Sequence, residues 1–469
     1  MPAPKKAAAN RTSAATRQMT MVAFMQAQNC SNYIGSWRNP VSHSDFLRPE
    51  YFQRIARTLE DGKFHMAFFD DRLAMPDRYK DDHEAAIEAG ARVVKMDLIP
   101  LLTAMGLATS KLGLGGTYST TYYQPFHVAR VFSTLDHMIG GRAAWNVVTS
   151  LNDSEALNFG LEQHMEHDLR YDQADEFMEV VLGHWDTWED DALIVDKVSG
   201  RFGDGKKVHR LDHKGKWFKS RGPFTVPATP QGRPVLIQAG QSGRGKRFAA
   251  QWGELIFCAY KNIAMGKANY KELKEALSAA NRDPASVAIC PAVYVITGES
   301  RSIAEEKRAI ADACLHPIDQ LALLSEGLNF DFGSKPMDEP FTQKELDSIS
   351  GLQALRDRVI QMKAPAMPTV RDFMEITGRG TLAEHPVLCG SPKDVADQLE
   401  EWFTGGKDGG PACDGFVLAA TSMPGTYEDF VRLIVPELQR RGLYQKEYKG
   451  TTLRENLGLA RPTRGDWKR

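Results

Sequence analysis

The glycine-rich segment 240–245, GQSGRG, follows a short apolar run at 235–239 and precedes a sequence typical of a helix start at 246–252. Glycine lets backbone N–H groups approach an anion closely, and a helix N-terminus adds partial positive charge. The order of strand, glycine-rich loop and helix therefore predicts a phosphate-binding site. Ser242 and Gly243, at the centre of the loop, are the predicted contacts.

The same loop almost matches the phosphate-binding motif of nucleotide hydrolases, because Gly240, Gly245 and Lys246 occupy three of its positions. Arg247 stands where that motif needs Ser or Thr to hold magnesium, which phosphoryl transfer requires. Nucleotide hydrolysis and an ordinary glycine-rich βα turn remain as alternatives. The favoured interpretation is a loop that binds a cofactor's phosphate without reacting with it.

A second candidate anion site lies at 163–168, QHMEHD, which offers four possible metal ligands: His164, Glu166, His167 and Asp168. The histidines have His-x-x-His spacing rather than the H-E-x-x-H of zinc enzymes, so no metal is predicted. Asp168 is instead predicted to be the N-cap of the following helix. His167 and Tyr171 would then flank a helix N-terminus, where both can donate to an anion. This helix start and the glycine-rich loop are predicted to hold one phosphate.

The elements that position these residues alternate between short apolar strands and amphipathic helices, a pattern that predicts a parallel sheet. Eight strands are predicted, starting near residues 19, 65, 112, 143, 235, 255, 287 and 414. Eight such units predict a (β/α)8 barrel in a single domain over 19–459. Two long insertions, about 186–234 and 316–385, are expected to cover the site. Residues 1–18 are predicted to be a disordered tail and 460–469 a C-terminal tail.

Function in such a barrel is located where strands end on the C-terminal face. The predicted strand ends carry polar residues with little charge: Gln26, Asn29, Asp71, Thr117, Asn146 and Ser242. No convincing pair of nucleophile and base is found among them, which indicates that a cofactor performs the chemistry.

Composition excludes several classes of protein. Lys plus Arg is 58 and Asp plus Glu is 60, so a net charge of −2 argues against a nucleic-acid binder. No run of 18 apolar residues predicts a membrane span, and the N-terminus lacks the apolar region of a secretory signal. The 6 scattered cysteines favour reduced thiols in a cytoplasmic protein.

Five segments together resemble one family, the flavin-dependent monooxygenases of the bacterial luciferase-like superfamily. They are residues 122–130, 134–150, 166–172, 238–245 and 447–458. The resemblance extends from Gln18 to about Leu459 and is strongest to the branch of nitrilotriacetate, EDTA and dibenzothiophene-sulfone monooxygenases.

The resemblance implies a barrel that binds reduced FMN (FMNH2), supplied transiently by a separate NAD(P)H-dependent flavin reductase. Oxygen adds to the flavin, and the resulting peroxide attacks a small organic substrate. Asp71 and Thr117 would lie near the flavin ring, with Asn146 a further contact, and His167, Tyr171 and Ser242 would hold the phosphate. The lack of a nicotinamide-binding fingerprint agrees with a separate reductase. A homodimer or homotetramer is expected.

Substrate identity is not determined by fold or cofactor. The first loop and the second insertion are expected to form the pocket and its lid, through Phe24, Gln26, Asn29, Trp37, Phe330 and Phe332. These aromatic side chains favour an aromatic xenobiotic. The alternative is a barrel protein that binds a flavin or deazaflavin without oxygenating a substrate.

Overall fold

Eight parallel strands close into a barrel in the computed structural model, which describes residues 17–28, 33–406 and 409–468. With five strands outside the barrel, the described residues contain thirteen strands, numbered along the chain: β1 (Thr20–Met25), β2 (Met66–Phe69), β3 (Gly113–Ser119), β4 (Ala143–Val148), β5 (Leu193–Asp196), β6 (Arg201–Gly203), β7 (His213–Lys214), β8 (Lys219–Ser220), β9 (Val235–Gln238), β10 (Leu255–Cys258), β11 (Ala288–Thr297), β12 (Val387–Gly390) and β13 (Gly415–Ala419). The barrel runs β1, β2, β3, β4, β9, β10, β11, β13, and β13 pairs again with β1. The predicted (β/α)8 barrel and its eight strands are confirmed.

Helices surround this barrel. They are α1 (Pro49–Asp61), α2 (Glu84–Ala89), α3 (Leu98–Leu107), α4 (Pro125–Met138), α5 (Asp153–Asn158), α6 (His167–Trp185), α7 (Gly243–Trp252), α8 (Ile263–Ala279), α9 (Arg301–Ala313), α10 (Pro317–Leu328), α11 (Gln343–Ser348), α12 (Gln353–Lys363), α13 (Val370–Thr377), α14 (Pro392–Thr404), α15 (Gly425–Asp429), α16 (Val435–Arg440) and α17 (Leu453–Asn456). A π-helical turn, Phe430–Ile434, joins α15 to α16. In α1, proline stands in the first turn and one apolar face is buried.

The barrel strands are buried on both faces, and alternate residues along them belong to two different cores. In β1, Met21, Ala23 and Met25 pack against the surrounding helices, whereas Val22 and Phe24 point into the barrel. This is the two-residue period of a strand, with both faces covered as in other parallel sheets. Apolar packing thus fixes which side chains reach the mouth of the barrel.

The first insertion, 186–234, contains two small antiparallel sheets, β5–β6 and β7–β8. The second, 316–385, contains four helices, α10 to α13, around an apolar cluster of its own. The helical periodicity of the sequence is weak in this insertion because its helices are short. Capping boxes at Thr342 and Thr369 fix the starts of α11 and α13. Strand β12 was not predicted; its four residues pair with the second half of β11.

Both chain ends contact the barrel where they are described. Residues 1–16 of the predicted tail lie outside the described residues, but Arg17 forms an ion pair with Asp414 at 2.6 Å. In the C-terminal tail, Arg233 pairs with Asp466 at 2.7 Å, and the Trp467 indole donates to Asp186 at 2.6 Å.

Two further sequence predictions concern the state of the cysteines and the presence of membrane-spanning helices. Five cysteines in the described residues are free: Cys258, Cys290, Cys314, Cys389 and Cys413. Among the described helices, none is both long and apolar enough to cross a bilayer.

Candidate cofactor and substrate site

A cavity of about 420 Å³ opens at the C-terminal ends of the barrel strands. Of the residues proposed from the sequence, seven line it: Phe24, Asp71, Thr117, Asn146, His167, Tyr171 and Ser242. These side chains come from four barrel strands or their ends, from α6 and from the loop before α7. Gly243 is the first residue of α7 and follows the cavity-lining residue Ser242. A Cβ atom placed on Gly243 would meet no described atom within 4 Å, so its backbone is open to a ligand.

The floor of the cavity carries a chain of hydrogen bonds between neighbouring strands. Thr117 Oγ1 donates to the carbonyl of Phe69 at 2.7 Å, and Asn146 Nδ2 donates to Thr117 Oγ1 at 2.8 Å. The Oδ1 atom of Asn146 is buried and has no hydrogen-bond partner among the residues that the structure describes. Buried acceptors are normally satisfied, so this atom is a candidate ligand contact.

Two adjacent carboxyl groups at the end of β2 have opposite pKa shifts. Burial raises the pKa of Asp71 to about 7, although Lys95 and the Arg72 N–H, which donates to Oδ1 at 2.8 Å, act against the shift. Burial also opposes ionisation of Asp70, but Lys95 and Arg92 outweigh it and lower the pKa of Asp70. Asp71 can therefore exchange a proton near neutral pH, whereas Asp70 stays ionised.

The two predicted anion-binding features meet in space. Helix α6 begins at His167, and helix α7 begins after Ser242, whose Oγ accepts from the N–H of Gly245 at 3.0 Å. His167 Nε2 and Ser242 Oγ are 3.4 Å apart. Because the first N–H groups of a helix lack intrahelical partners, two sets of donors converge at this point.

The N-cap of α6 is Glu166, whose side chain accepts from the N–H of Leu169 at 3.0 Å. The predicted N-cap, Asp168, is wrong, since the helix starts two residues earlier than the sequence pattern indicated. Asp168 instead contacts the Nδ1 atom of His167 at 2.7 Å. This contact orients the imidazole with Nε2 toward Ser242.

Tyr171 lies one helical turn after His167, and its ring contacts that imidazole with centroids 5.2 Å apart. A Cβ on Gly245 would lie 2.8 Å from the Tyr171 hydroxyl, so glycine is needed for this close approach. Burial raises the pKa of Tyr171, so its hydroxyl stays protonated and can donate.

The basic residues of the loop point elsewhere. Lys246 Nζ contacts Glu272 at 2.6 Å, and Arg244 forms ion pairs with Asp172 and Asp175. Lys246, the residue that resembles the lysine of nucleotide hydrolases, does not line the cavity. The geometry therefore does not support nucleotide hydrolysis.

His164 holds neighbouring side chains in place. Its Nε2 accepts from Arg170 at 2.6 Å, so the ring proton is on Nδ1 and is donated to the Tyr122 hydroxyl at 2.6 Å. Burial lowers the pKa of His164 to about 4, which keeps the ring neutral. Within the described ranges, no cluster of three His, Cys, Asp or Glu side chains is arranged to hold a metal ion.

An apolar wall stands beside the polar floor. Phe24, Phe68 and Phe257 all line the cavity, with the Phe24 ring centroid 5.4 Å from each of the other two. Only Phe24 was proposed from the sequence. Phe68 follows the same alternation along β2, so the two-residue strand period offered a signal for it.

Two other residues proposed for the substrate pocket, Gln26 and Trp37, do not line the cavity. Gln26 is buried beneath it, where its Oε1 accepts from Arg92 and Lys95, each at 3.2 Å. Trp37 is 39% exposed and donates to the carbonyl of Ala89 at 2.9 Å. Asn29 lies outside the described residues.

Phe330 and Phe332 belong to the core of the second insertion. Phe332 is 1% exposed and packs against Phe341 and Phe373. The prediction that these two aromatic side chains line the pocket is wrong in its placement, because they stabilise the insertion internally. The insertion reaches the cavity through other residues, which sequence reasoning missed: Gly351, Leu352, Gln353, Ala354, Leu355, Arg358, Thr377, Arg379, Glu384 and His385.

Comparison with known proteins agrees with this geometry. Residues 29–409 match the model of a family described as luciferase-like monooxygenase. The chain is 42% identical over 454 residues to the dibenzothiophene-sulfone monooxygenase of Rhodococcus erythropolis, covering 95% of this chain and 98% of that protein. It is 37% identical over 458 residues to nitrilotriacetate monooxygenase component A of Aminobacter aminovorans, covering 96% and 98%.

A crystal structure of a riboflavin lyase with modified FMN and its substrate riboflavin has the same fold. It superimposes with a TM-score of 0.84 at 30% identity, covering 94% of this chain and 96% of that one. The barrel, its cavity and these relatives define a flavin-dependent monooxygenase. The chain belongs to the luciferase-like monooxygenase family, and its relatives favour this activity over a flavin- or deazaflavin-binding protein without oxygenase activity.

Proposed function

We propose that this protein is the oxygenating component of a two-component system and uses FMNH2 and O2 to oxidise a small organic substrate. The observation that carries the proposal is the distribution of polar groups in one cavity. Converging helix starts at His167 and Ser242 lie at one end, and the Oδ1 acceptor of Asn146, which has no partner in the described part of the chain, lies on the barrel floor. These features suit a ligand with a phosphate at one end and a polar ring at the other.

The donor set fits the phosphate of FMN. His167, Tyr171, Ser242 and the N–H of Gly243 would hold it, helped by the dipoles of α6 and α7. Arg244 beside this position is already paired with Asp172 and Asp175. The hydroxyls of Tyr171 and Ser242, the backbone N–H groups and the helix dipoles carry no full positive charge, and such a site supports reversible binding, as a diffusing cofactor requires.

The barrel floor fits the ring system. Asn146 Oδ1 would accept a hydrogen bond from a ring N–H, and Thr117 keeps the amide in that orientation. Asp71, with its pKa near 7, can hold a proton beside the ring or release it. When bound, reduced FMN supplies the electrons that activate oxygen; the protein binds, orients and shields the reactants.

The separate flavin reductase is part of the proposal. The sequence has no nicotinamide-binding fingerprint, and the nitrilotriacetate relative carries the designation component A. The reductase would use NAD(P)H and release FMNH2 to this protein transiently.

The substrate is proposed to be a small aromatic or xenobiotic compound. The wall formed by Phe24, Phe68 and Phe257 offers ring faces and edges for stacking. The relative from Rhodococcus erythropolis, by its name, acts on the aromatic compound dibenzothiophene sulfone.

Self-association and location complete the proposal. The β5–β6 hairpin in the first insertion exposes apolar side chains, with Val198 99% and Phe202 71% exposed. Exposed apolar clusters commonly form contacts between subunits, which supports a homodimer or homotetramer.

The free cysteines support a cytoplasmic location.

The experiment that tests the proposal combines the purified protein with FMN, NADH and an added flavin reductase, then screens aromatic sulfur, nitrogen and halogen compounds. We expect substrate-dependent incorporation of one atom of ¹⁸O from ¹⁸O₂ into product. Rapid NADH oxidation by the protein and FMN alone would contradict the need for a reductase. Tight FMNH2 binding with no oxygen transfer to any substrate would favour the alternative of a flavin carrier.

A further inference from the structure

Three cationic side chains that line the cavity form no ion pair with a carboxylate among the described residues: Arg170, Lys261 and Arg358. Arg170 is buried and donates to the carbonyls of Thr149 and Ser150 and to His164, which leaves Lys261 and Arg358 as candidates for a ligand contact. Lys261 follows β10 on the barrel, and Arg358 lies on α12 of the second insertion; both line the cavity. In the part of the chain that the structure describes, no Asp or Glu lies within ion-pairing distance of either one. Three other arginines of the cavity do have such partners, since Arg72 pairs with Glu326, Arg92 with Asp70 and Arg379 with Glu384.

The two cations converge on one short stretch of backbone. Lys261 Nζ donates to the carbonyl of Thr377 at 2.6 Å and also to the carbonyl of Ala383. Arg358 donates through one guanidinium nitrogen to the carbonyl of Ile376 at 3.0 Å. Neighbouring carbonyls therefore hold both groups at the end of α13, and the remaining N–H donors are available to a ligand.

Burial also affects the ionisation of Lys261 and Arg358. Burial lowers the pKa of Lys261 to about 8, with a further decrease from the positive charge of Arg358 and partial compensation by Glu384. Burial lowers the pKa of Arg358 as well. A bound anion would favour the charged form of both side chains, so this pair of buried cations is a favourable place for an anion.

We propose that Lys261 and Arg358 bind an oxyanion group of the substrate, a carboxylate or a sulfonate. The inference rests on the proposed function, because it assigns this end of the cavity to the organic substrate and the His167–Ser242 end to the cofactor. Arg358 is on the insertion, so an anionic substrate would also draw the insertion onto the barrel. The substrate is thus an aromatic or other apolar body with an acidic group.

A purely structural role is the competing explanation, since cations near the last carbonyls of a helix stabilise it. Lys267 provides a matched control. Its Nζ donates to the carbonyl of Gly405, the C-cap of α14, at 2.7 Å, and it does not line the cavity. Lys267→Met removes a helix-capping lysine without changing the proposed anion site.

The test measures binding of three matched probes, benzoate, benzenesulfonate and benzyl alcohol, by calorimetry in chloride-free buffer at pH 7, with and without FMN. The parent protein should bind the two anions about tenfold to hundredfold more tightly than the alcohol. Lys261→Met and Arg358→Gln should each reduce this preference about tenfold while leaving affinity for benzyl alcohol unchanged. Arg358→Lys should restore part of it, and Lys267→Met should retain it in full.

Three results would overturn the inference. Equal affinities for all three probes in the parent protein would show that no anion site exists. A preference that survives in the Lys261→Met, Arg358→Gln double variant would place it elsewhere. A loss of preference for FMN over riboflavin in these variants would assign the pair to the cofactor phosphate. The FMN-free measurements do not depend on flavin binding or turnover, so failure of the proposed function would be seen separately.

Discussion

Asn146 Nδ2 donates to Thr117 Oγ1, and this contact fixes which way the amide faces. The single proton of the Thr117 hydroxyl is donated to the carbonyl of Phe69, so Thr117 can only accept from Asn146. The amide oxygen must then point away from Thr117, and it finds no partner among the described residues. An unsatisfied buried acceptor costs about 1–3 kcal/mol, which a bound ligand with an N–H group would recover.

Replacing Asn146 with Leu tests this relationship. We expect affinity for FMN and for riboflavin to fall together by about tenfold, since both carry the same ring. The free energy of unfolding should not decrease, because the variant removes an acceptor that has no partner among the residues the structure describes. Fluorescence titration measures the first quantity and urea denaturation the second. Unchanged flavin affinity would show that the amide oxygen is not a ring contact.

The phosphate end should respond differently from the ring end. Ser242→Ala and Tyr171→Phe each remove a hydroxyl from the convergence of α6 and α7. A hydrogen bond to a charged group contributes roughly 1.5–3 kcal/mol, so FMN affinity should fall about tenfold to hundredfold. Riboflavin affinity should change much less, because riboflavin has no phosphate.

Lys246→Met is the control for these two variants. Lys246 is in the same loop region but contacts Glu272 instead of the cavity, so FMN affinity should be unchanged. Equal losses of FMN and riboflavin affinity in Ser242→Ala would show that the serine does not contact the phosphate.

The sequence predicted the barrel and located several residues that line its cavity, because both depend on local patterns. Strand ends and helix starts can be located from apolar runs, and Thr117, Asn146 and Ser242 are all at such positions. Side-chain destinations within long insertions depend instead on tertiary packing. Phe330 and Phe332 have the composition expected of a lid, but the insertion buries them in its own core.

Lys261 and Arg358 were not proposed from the sequence, because their position also depends on tertiary packing. Lys261 and Arg358 are 97 positions apart in the sequence, and no spacing rule connects them. They face one cavity because α12 folds back over the barrel. The predicted N-cap at Asp168 was two residues late because Glu166 also offers a carboxylate, and the side-chain geometry decides between them.

Asp71 should make stability depend on pH. Its folded-state pKa, about 7, is above the ordinary value of 3.8, so the folded state loses stability as pH rises from about 4 to 7. Asp71→Asn should therefore increase the free energy of unfolding at pH 8 by about 1–3 kcal/mol, because it removes a charge that burial disfavours. At pH 5 the gain should be smaller. Urea denaturation at both pH values measures the difference, and an equal gain would contradict the assigned shift.

The exposed β5–β6 hairpin should control self-association. Val198→Asp with Phe202→Asp places charges where a subunit contact would bury apolar side chains. On the proposed homodimer or homotetramer, light scattering should show the parent protein as an oligomer and the double variant as a monomer. The circular dichroism spectrum of the variant should match that of the parent, because the barrel itself is unchanged. Ile310→Asp, a change at an exposed apolar residue on α9, is the control. Oligomers that persist in the hairpin variant would exclude this surface.

The second insertion should protect the reaction from water through Leu352 and Leu355, which line the cavity. Excluding water from an active site prevents loss of reactive species to side reactions. The Leu352→Ala, Leu355→Ala variant should bind FMN nearly as tightly as the parent, since the predicted phosphate contacts are on α6 and α7. Less product should form per oxygen consumed, and more hydrogen peroxide should be released.

Leu346→Ala is the matched control for this last prediction. Leu346 is buried in the core of the same insertion and does not line the cavity, so its loss lowers stability by about 2–5 kcal/mol without opening the site. Deleting 327–340 would be a poorer test, because it removes Phe330 and Phe332 from that core. Oxygen electrode traces with peroxide and product assays measure the coupling. If the Leu352, Leu355 variant couples as well as the parent, or if Leu346→Ala uncouples equally at a temperature where both are folded, α12 is not the barrier to water.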